Sequence, residues 1–289
     1  MKPPQFDYTA PTTVEGVLTS LAAAPETTTF LAGGQSLVPL LNMRLARPTL
    51  ILDLNRVAGL DLIEVSDGRL RLGPMVRQRA LEINPTIRER LPLLSEAARH
   101  IAHLAIRIRG TVGGSLAHAD PAAELPAVMS ALQAQLVLRH ISGYERAVPA
   151  DQFFVGPLTT AVQPGEFLYR IDVPIPSPSP GWAFVEMART HGAFALVGAA
   201  ALVRLGSNGQ IDSARLALCG VGGTPHAPEW LDELLAGERP DDSTFDSVAG
   251  RVAAEIEPQD DIHATGAYRR RVAGVLAKRS LRLAASRAG

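Results

Sequence analysis

Two double-glycine segments limit what this chain can become. The first, Leu31-Ala32-Gly33-Gly34-Gln35-Ser36-Leu37-Val38, follows the β-branched and aromatic run Thr28-Thr29-Phe30. The second, Arg109-Gly110-Thr111-Val112-Gly113-Gly114-Ser115-Leu116, runs into Ala117-His118-Ala119-Asp120-Pro121. Each stands where a short apolar run hands over to a helix. Glycine admits positive φ and removes the side chain that would hold an anion away. Successive main-chain N–H groups in such a turn form a concave nest suited to phosphate oxygens. Two of them suggest two walls of one elongated, phosphate-bearing ligand.

Composition narrows the class. A chain of 289 residues is long for one core, so two or three domains are expected. Hydrophobic residues make up 46% and charged residues 20%, ordinary for a soluble globular protein. The formal charge of -1 gives no pull toward nucleic acid or an anionic membrane. No apolar stretch reaches the roughly 18 residues of a membrane span. The start, Met1-Lys2-Pro3-Pro4-Gln5-Phe6-Asp7-Tyr8, lacks the apolar core of a signal peptide, so a cytoplasmic location is expected. Cys219 is the single cysteine. The chain therefore builds neither an internal disulfide nor a cysteine-ligated iron–sulfur cluster. If electrons pass through it, an organic cofactor carries them. Cys219 itself reads as a small buried residue at a strand end.

Along the chain, the apolar spacing of Val14, Val17, Leu18 and Leu21 predicts a helix over 13–23, capped by Thr12 or Thr13. Strands are expected at 28–31 and 49–54, with a helix at 38–45 between them. Residues 60–65 and 69–73 alternate about Asp67-Gly68 and read as a hairpin. A helix is expected over 93–106, another at 125–132, and strands at 135–139 and 167–173. This mixture is α+β. Pro174-Ile175-Pro176-Ser177-Pro178-Ser179-Pro180-Gly181 reads as a linker. Strand-like runs follow at 183–188, 195–205 and 214–221, and a helix at 268–284 ends the chain.

Other motifs are weaker. Gly33-Gly34 lacks the spacing of a dinucleotide fingerprint, and neither loop carries the Gly-Lys-Ser/Thr of a phosphate-binding P-loop. Taken alone, each glycine pair reads as either a tight structural turn or a phosphate nest. His100 and His103 stand three apart on the expected 93–106 helix without a third ligand, as a surface pair. Arg269, Arg270, Arg271, Lys278, Arg279 and Arg282 on the closing helix follow an acidic stretch over 229–261. Mutual charge balance and a partner surface both account for that pattern.

The order of motifs resembles the FAD-binding medium subunit of molybdenum hydroxylases. This family includes the flavoprotein subunits of carbon monoxide dehydrogenase and of xanthine-, nicotine- and caffeine-type dehydrogenases. The resemblance is carried by Ala32-Gly33-Gly34-Gln35-Ser36-Leu37-Val38-Pro39 and by Arg109 through Ala127. It continues through Phe153-Phe154-Val155-Gly156-Pro157, Pro164-Gly165-Glu166-Phe167-Leu168, Phe184-Val185-Glu186-Met187-Ala188-Arg189 and Gly220-Val221-Gly222-Gly223-Thr224-Pro225. It closes on Tyr268-Arg269-Arg270 and Val275-Leu276, so it spans nearly the whole chain.

The resemblance implies a vanillyl-alcohol-oxidase-type (PCMH-type) FAD-binding domain over 1–176, in subdomains of about 1–55 and 56–176. A small α+β C-terminal domain over 177–289 follows. It implies non-covalent FAD held by Leu31, Ala32, Gly33, Gly34, Gln35, Ser36 and Leu37 from the first loop. Thr111, Val112, Gly113, Gly114 and Ser115 would hold it from the second, with His118 and Asp120 behind, Glu124 near the ribose-adenine end and Leu168 lining the pocket. No residue is assigned as a catalytic acid, base or metal ligand. The chain departs from the family pattern with Ser115 for asparagine, Glu124 for aspartate, Ala193 for aspartate, and Ala105 and Ile108 where relatives carry glutamine and asparagine, departures that bear on the fine contacts near the isoalloxazine ring. Phe194 is placed either against the ring or in the core. The implied partners are a large molybdenum-cofactor subunit and a small two-cluster iron–sulfur subunit, in a dimer of heterotrimers. The alternative is a flavin-binding assembly partner without turnover; a free-standing oxidase is disfavoured, since no histidine or cysteine stands where related oxidases attach flavin.

Overall fold

The computed structural model describes residues 2–288 and is an α+β protein. The chain begins with β1 (Asp7–Thr9), α1 (Val14–Ala23), β2 (Thr28–Leu31), α2 (Leu37–Asn42) and β3 (Leu50–Asp53). Thr13 caps α1, its hydroxyl accepting from Gly16 N at 3.1 Å. Val17 and Leu21 of α1 and Leu52 of β3 share one small core with Leu54, Val57 and Phe167. The strands form a parallel sheet in the order β1-β3-β2. Strand β1 has no expectation in its sequence, because three residues are too few to show a period. Its pairing with Leu50–Leu52 decides it.

The next unit holds β4 (Ile63–Ser66), β5 (Arg69–Leu72), α3 (Gln78–Ile83), α4 (Pro85–Arg90), α5 (Pro92–Ala98), α6 (Leu104–Arg107), α7 (Val112–His118) and α8 (Glu124–Ala131). It continues with β6 (Gln135–His140), β7 (Glu145–Pro149), α9 (Ala150–Phe153), β8 (Phe154–Gly156), β9 (Thr159–Thr160) and β10 (Glu166–Pro174). Asp67 and Gly68 both take positive φ, 52° and 69°, as the expected hairpin requires. The sheet runs β4-β5-β10-β6-β7, antiparallel throughout.

The expected 93–106 helix is two helices. Ala102 stands at φ 40° between α5 and α6, and the buried Arg107 guanidinium donates to the carbonyls of Ile101 and Ala102, both at 2.8 Å, and to Glu82 at 3.2 Å. These bonds replace those a continuous helix would make. His100 and His103 therefore leave the helix and each other. The His100 ring packs 5.1 Å from that of Phe184, and His103 faces His191 at 6.2 Å.

The last unit is a three-stranded antiparallel sheet of β11 (Gly181–Ala188), β12 (Ala195–Leu205) and β13 (Ile211–Cys219), with α10 (Leu231–Leu235), α11 (Asp242–Glu255) and α12 (Gly266–Ser286). Phe184, Ala200, Ala217 and Cys219 face the core around α5, α7 and α8. Ala183, Val197 and Ala199 face α11 and α12. Strand β12 is thus covered on both sides, which suits its small apolar run. Cys219 is buried at a strand end, as its surroundings imply. Charge balance accounts for much of the basic helix: Lys278 contacts Asp246 at 2.7 Å, Arg282 contacts Asp242 at 3.5 Å, and Arg269 contacts Asp261 at 2.6 Å.

Two ties hold this unit to the rest. Gly220 N donates to Pro121 O at 2.8 Å. Arg287, beyond α12, meets the Glu96 carboxylate of α5 with both terminal nitrogens at 2.9–3.2 Å, while Glu96 also accepts from Phe184 N at 3.1 Å. Glu96→Ala would remove the side-chain acceptor of Phe184 N and leave Arg287 with the Trp182 carbonyl alone. A loss of about 1–3 kcal/mol in urea unfolding is expected; an unchanged midpoint would show that the clasp carries no stability.

Candidate cofactor-binding site

The first glycine loop leaves β2 and enters α2 with its donors open. The Gln35 side-chain amide donates to Gly33 O at 2.9 Å, and Val38 N to Gly34 O at 3.1 Å, closing a compact turn. The N–H groups of Gly33, Gly34, Gln35 and Ser36 donate to no group among the described residues. Gly34 takes φ 73°, the left-handed conformation that favours glycine. Four unpaired N–H groups on a strand-to-helix turn form a surface that an anion satisfies.

The second segment is built differently. Gly113 and Gly114 lie inside the first turn of α7 rather than in a loop, and neither has positive φ. Their donors are engaged: Val112 N to Val76 O at 2.9 Å, Gly113 N to Pro74 O at 2.8 Å, and Gly114 N to the Thr111 hydroxyl at 3.0 Å. The absent side chain serves packing instead. A Cβ on Gly113 would lie 2.7 Å from Pro74 Cα, and one on Gly114 would lie 3.4 Å from Ala32 Cβ. Gly33 is similar, since its Cβ would meet Arg109 O at 2.6 Å and Gly110 Cα at 2.7 Å. The two segments thus stand backbone to backbone. One offers free donors; the other forms a wall behind which Thr111 is buried and Ser115 is half-buried.

The remaining candidates spread outward from this contact. Leu31 ends β2, and Leu37 opens α2. His118 is the last residue of α7 and half-buried, and Asp120 accepts from Ala122 N at 2.9 Å in the turn before α8. Leu168, on β10, is buried in the same apolar cluster as Leu116 of α7. Phe194 stands 70% exposed, which excludes its core alternative. Leu104 and Ile108 are exposed as well, and a Cβ on Gly192 would touch the His103 ring.

Glu124 opens α8 and is buried; burial pushes its carboxyl up to about 7, with Asp120 adding to the effect. Sequence reasoning missed its neighbour Glu186 on β11. Burial, then the charge of Glu124, pushes Glu186 up to about 8, and its Oε2 is buried with no hydrogen-bond partner. The Cys219 thiol is raised by the same burial and by both carboxyls. The available signal for Glu186 was its place on the Phe184 side of an alternating strand. Arg77 and Asn55 were also missed. Neither lies in a glycine segment, yet both contact one.

A carboxyl whose folded pKa is raised favours the folded state most when protonated. That contribution is full below the ordinary value of 4.5 and declines as the pH rises toward about 8. Glu186→Gln, which stays neutral, should therefore gain in Tm over the parent chain between pH 5 and pH 8.5, as followed by circular dichroism. A difference that is flat across this range would remove Glu186 as a buried titrating group.

The chain matches two family models: the FAD binding domain in molybdopterin dehydrogenase over residues 4–176, and the CO dehydrogenase flavoprotein C-terminal domain over residues 182–284. It is 40% identical over 288 residues to the 6-hydroxypseudooxynicotine dehydrogenase complex subunit alpha of Paenarthrobacter nicotinovorans, covering 100% of this chain and 97% of that one. It is 39% identical over 287 residues to the caffeine dehydrogenase subunit beta of Pseudomonas sp. strain CBB1, covering 99% and 97%. Among solved structures, a chain of carbon monoxide dehydrogenase from Hydrogenophaga pseudoflava superposes with a TM-score of 0.96 at 35% identity, covering 100% of both chains. A chain of quinoline 2-oxidoreductase from Pseudomonas putida 86 gives 0.94 at 38% identity, covering 99% of both. Coverage of both halves in one order makes this chain a member of the FAD-binding medium subunits of the molybdenum hydroxylases, with FAD as its cofactor.

Proposed function

We propose that this chain is the electron-transfer subunit of a three-component molybdenum hydroxylase, holding FAD without a covalent bond. The observation that carries the reading is the turn at Gly33–Ser36, whose four N–H groups are unpaired among the described residues and whose first glycine packs against the Arg109–Gly110 backbone. Hydrogen bonds from such donors to a charged oxygen contribute roughly 1.5–3 kcal/mol each. Several together hold the pyrophosphate of a dinucleotide tightly. Thr111, Ser115, His118, Asp120, Glu124 and Leu168 complete the proposed site. The family-model matches over 4–176 and 182–284 support a division of the chain near residue 176.

Bound FAD supplies the redox chemistry, accepting electrons from an iron–sulfur cluster on a partner and passing them to an external acceptor. The chain's own residues bind, orient and shield. With one cysteine, buried at the end of β13, the polypeptide has no thiolate set for a cluster of its own. The proposed partners are a small two-cluster iron–sulfur subunit and a large molybdenum-cofactor subunit, assembled as a dimer of heterotrimers in the cytoplasm. Similarity to relatives named as subunits of dehydrogenase complexes supports this. Exposed Leu104, Ile108 and Phe194 supply an apolar rim of the kind that marks a protein interface.

Two outcomes are expected. The isolated chain should show no turnover of a reduced organic substrate, while its flavin is bleached by dithionite and regains its colour with an acceptor. Substrate turnover by the metal-free chain would overturn the electron-transfer reading. Separately, Gly34→Ala places an L side chain at φ 73°, which costs about 1–2 kcal/mol. It should lower FAD affinity about tenfold in a fluorescence titration. Unchanged affinity would remove the turn from the site.

A further inference from the structure

The two glycine segments come from different parts of the chain, so something must set the gap between them. Backbone contact does this at one point, where Gly33 meets Arg109 and Gly110. Beside that contact runs a chain of side-chain hydrogen bonds. Arg77 donates through one terminal nitrogen to Arg109 O at 2.6 Å and through the other to Asn55 Oδ1 at 2.7 Å. The Asn55 amide nitrogen donates to Ala32 O at 2.8 Å and to Asp53 Oδ1 at 2.6 Å. Asp53, at the end of β3, also accepts from Asn55 N at 2.8 Å and from the Tyr8 hydroxyl at 2.6 Å.

The ends of this chain are what matter. Ala32 O belongs to the peptide unit whose N–H is that of Gly33, the first free donor of the nest. Arg109 O belongs to the unit whose N–H is that of Gly110, which donates to Ile106 O at 2.7 Å. A hydrogen bond to a carbonyl fixes the plane of its peptide, because the unit is rigid. Asn55 therefore sets the direction of the Gly33 N–H, and Arg77 sets the distance of that peptide from the wall. Arg77 is well placed to be rigid: its backbone bridges Thr111, and Gln78 N donates to Gly110 O at 2.9 Å. Planar guanidinium geometry suits a bridge between two fixed oxygens, whereas a lysine ammonium on a flexible stem does not.

We propose that Arg77 and Asn55 are positioning residues of the FAD site, a brace that holds the first glycine turn at the separation and orientation the cofactor's pyrophosphate needs. The inference rests on the reading of the Gly33–Ser36 turn as the anion nest. Neither residue touches the cofactor in this role; both act through Ala32 and Arg109.

The test is a double-mutant cycle on the full chain, reading FAD affinity by fluorescence titration and apo-chain Tm in parallel. Arg77→Met and Asn55→Ala should each weaken FAD about tenfold or more. The double variant should be little worse than either single, since both break one brace. Arg77→Lys is the decisive variant. It keeps the positive charge but cannot bridge two fixed oxygens, so it should weaken FAD as Arg77→Met does while the apo Tm stays within about 2 °C of the parent, a change of no more than about 1 kcal/mol in a chain of this size. Three outcomes overturn the brace: affinity unchanged in all variants, loss in Arg77→Met alone (which makes Arg77 a direct phosphate ligand), or additive losses in the double variant. A parent chain that takes up no FAD overturns the nest reading and the brace together.

Discussion

The structure depends on two places where backbone lies against backbone with no room for a side chain. Gly33 meets the Arg109–Gly110 peptide, and Gly113 meets Pro74. At such distances an added methyl cannot be absorbed by a rotamer change, because the obstacle is main chain. Through these contacts the small parallel sheet that carries the first turn is fixed to the helical layer that carries the second. The turn with free donors lies against the second segment only because that approach is possible.

Electrostatics follow from the same closeness. The turn brings four unpaired N–H groups to one place. The buried Glu124 and the half-buried Glu186 stand beside Cys219, with Glu186 Oε2 itself out of contact with solvent. Burial raises both carboxyls toward or above neutrality, so near pH 7 the pair carries less negative charge than its composition implies. Glu186 brings the last unit alongside Glu124, and the unit is held there by the Gly220–Pro121 hydrogen bond and the Glu96–Arg287 clasp. It covers the flavin-binding half while its α11 and α12 balance one another's charge.

Periodicity and turn chemistry make most of the elements legible in the sequence. Val17 and Leu21 lie one turn apart on a face that is buried, and Asp67-Gly68 closes the hairpin it implies. Ala195–Leu205 reads as a strand, and is one. The helix expected over 93–106 is broken for a physical reason. Its apolar spacing is helical throughout, but Arg107 folds back to bond the Ile101 and Ala102 carbonyls, and a window of neighbours contains no sign of that. Strand β1 was invisible because pairing, rather than pattern, makes it.

For the site, the sequence by itself determined which family the chain joins, and with it the FAD cofactor, and it singled out two glycine segments as candidates. These rest on local chemistry: glycine pairs, a single cysteine and motifs in a fixed order. Only the tertiary structure decided how the segments differ. The spacing of Gly113-Gly114 is as suited to a nest as that of Gly33-Gly34, yet its N–H groups are taken by Pro74 and Thr111, whereas those of the first turn are free. Whether a donor is available depends on which carbonyl lies opposite, and that carbonyl is supplied by a distant part of the chain. Glu186, Asn55 and Arg77 were decided in the same way, since each acquires its role from a group that folding alone brings alongside.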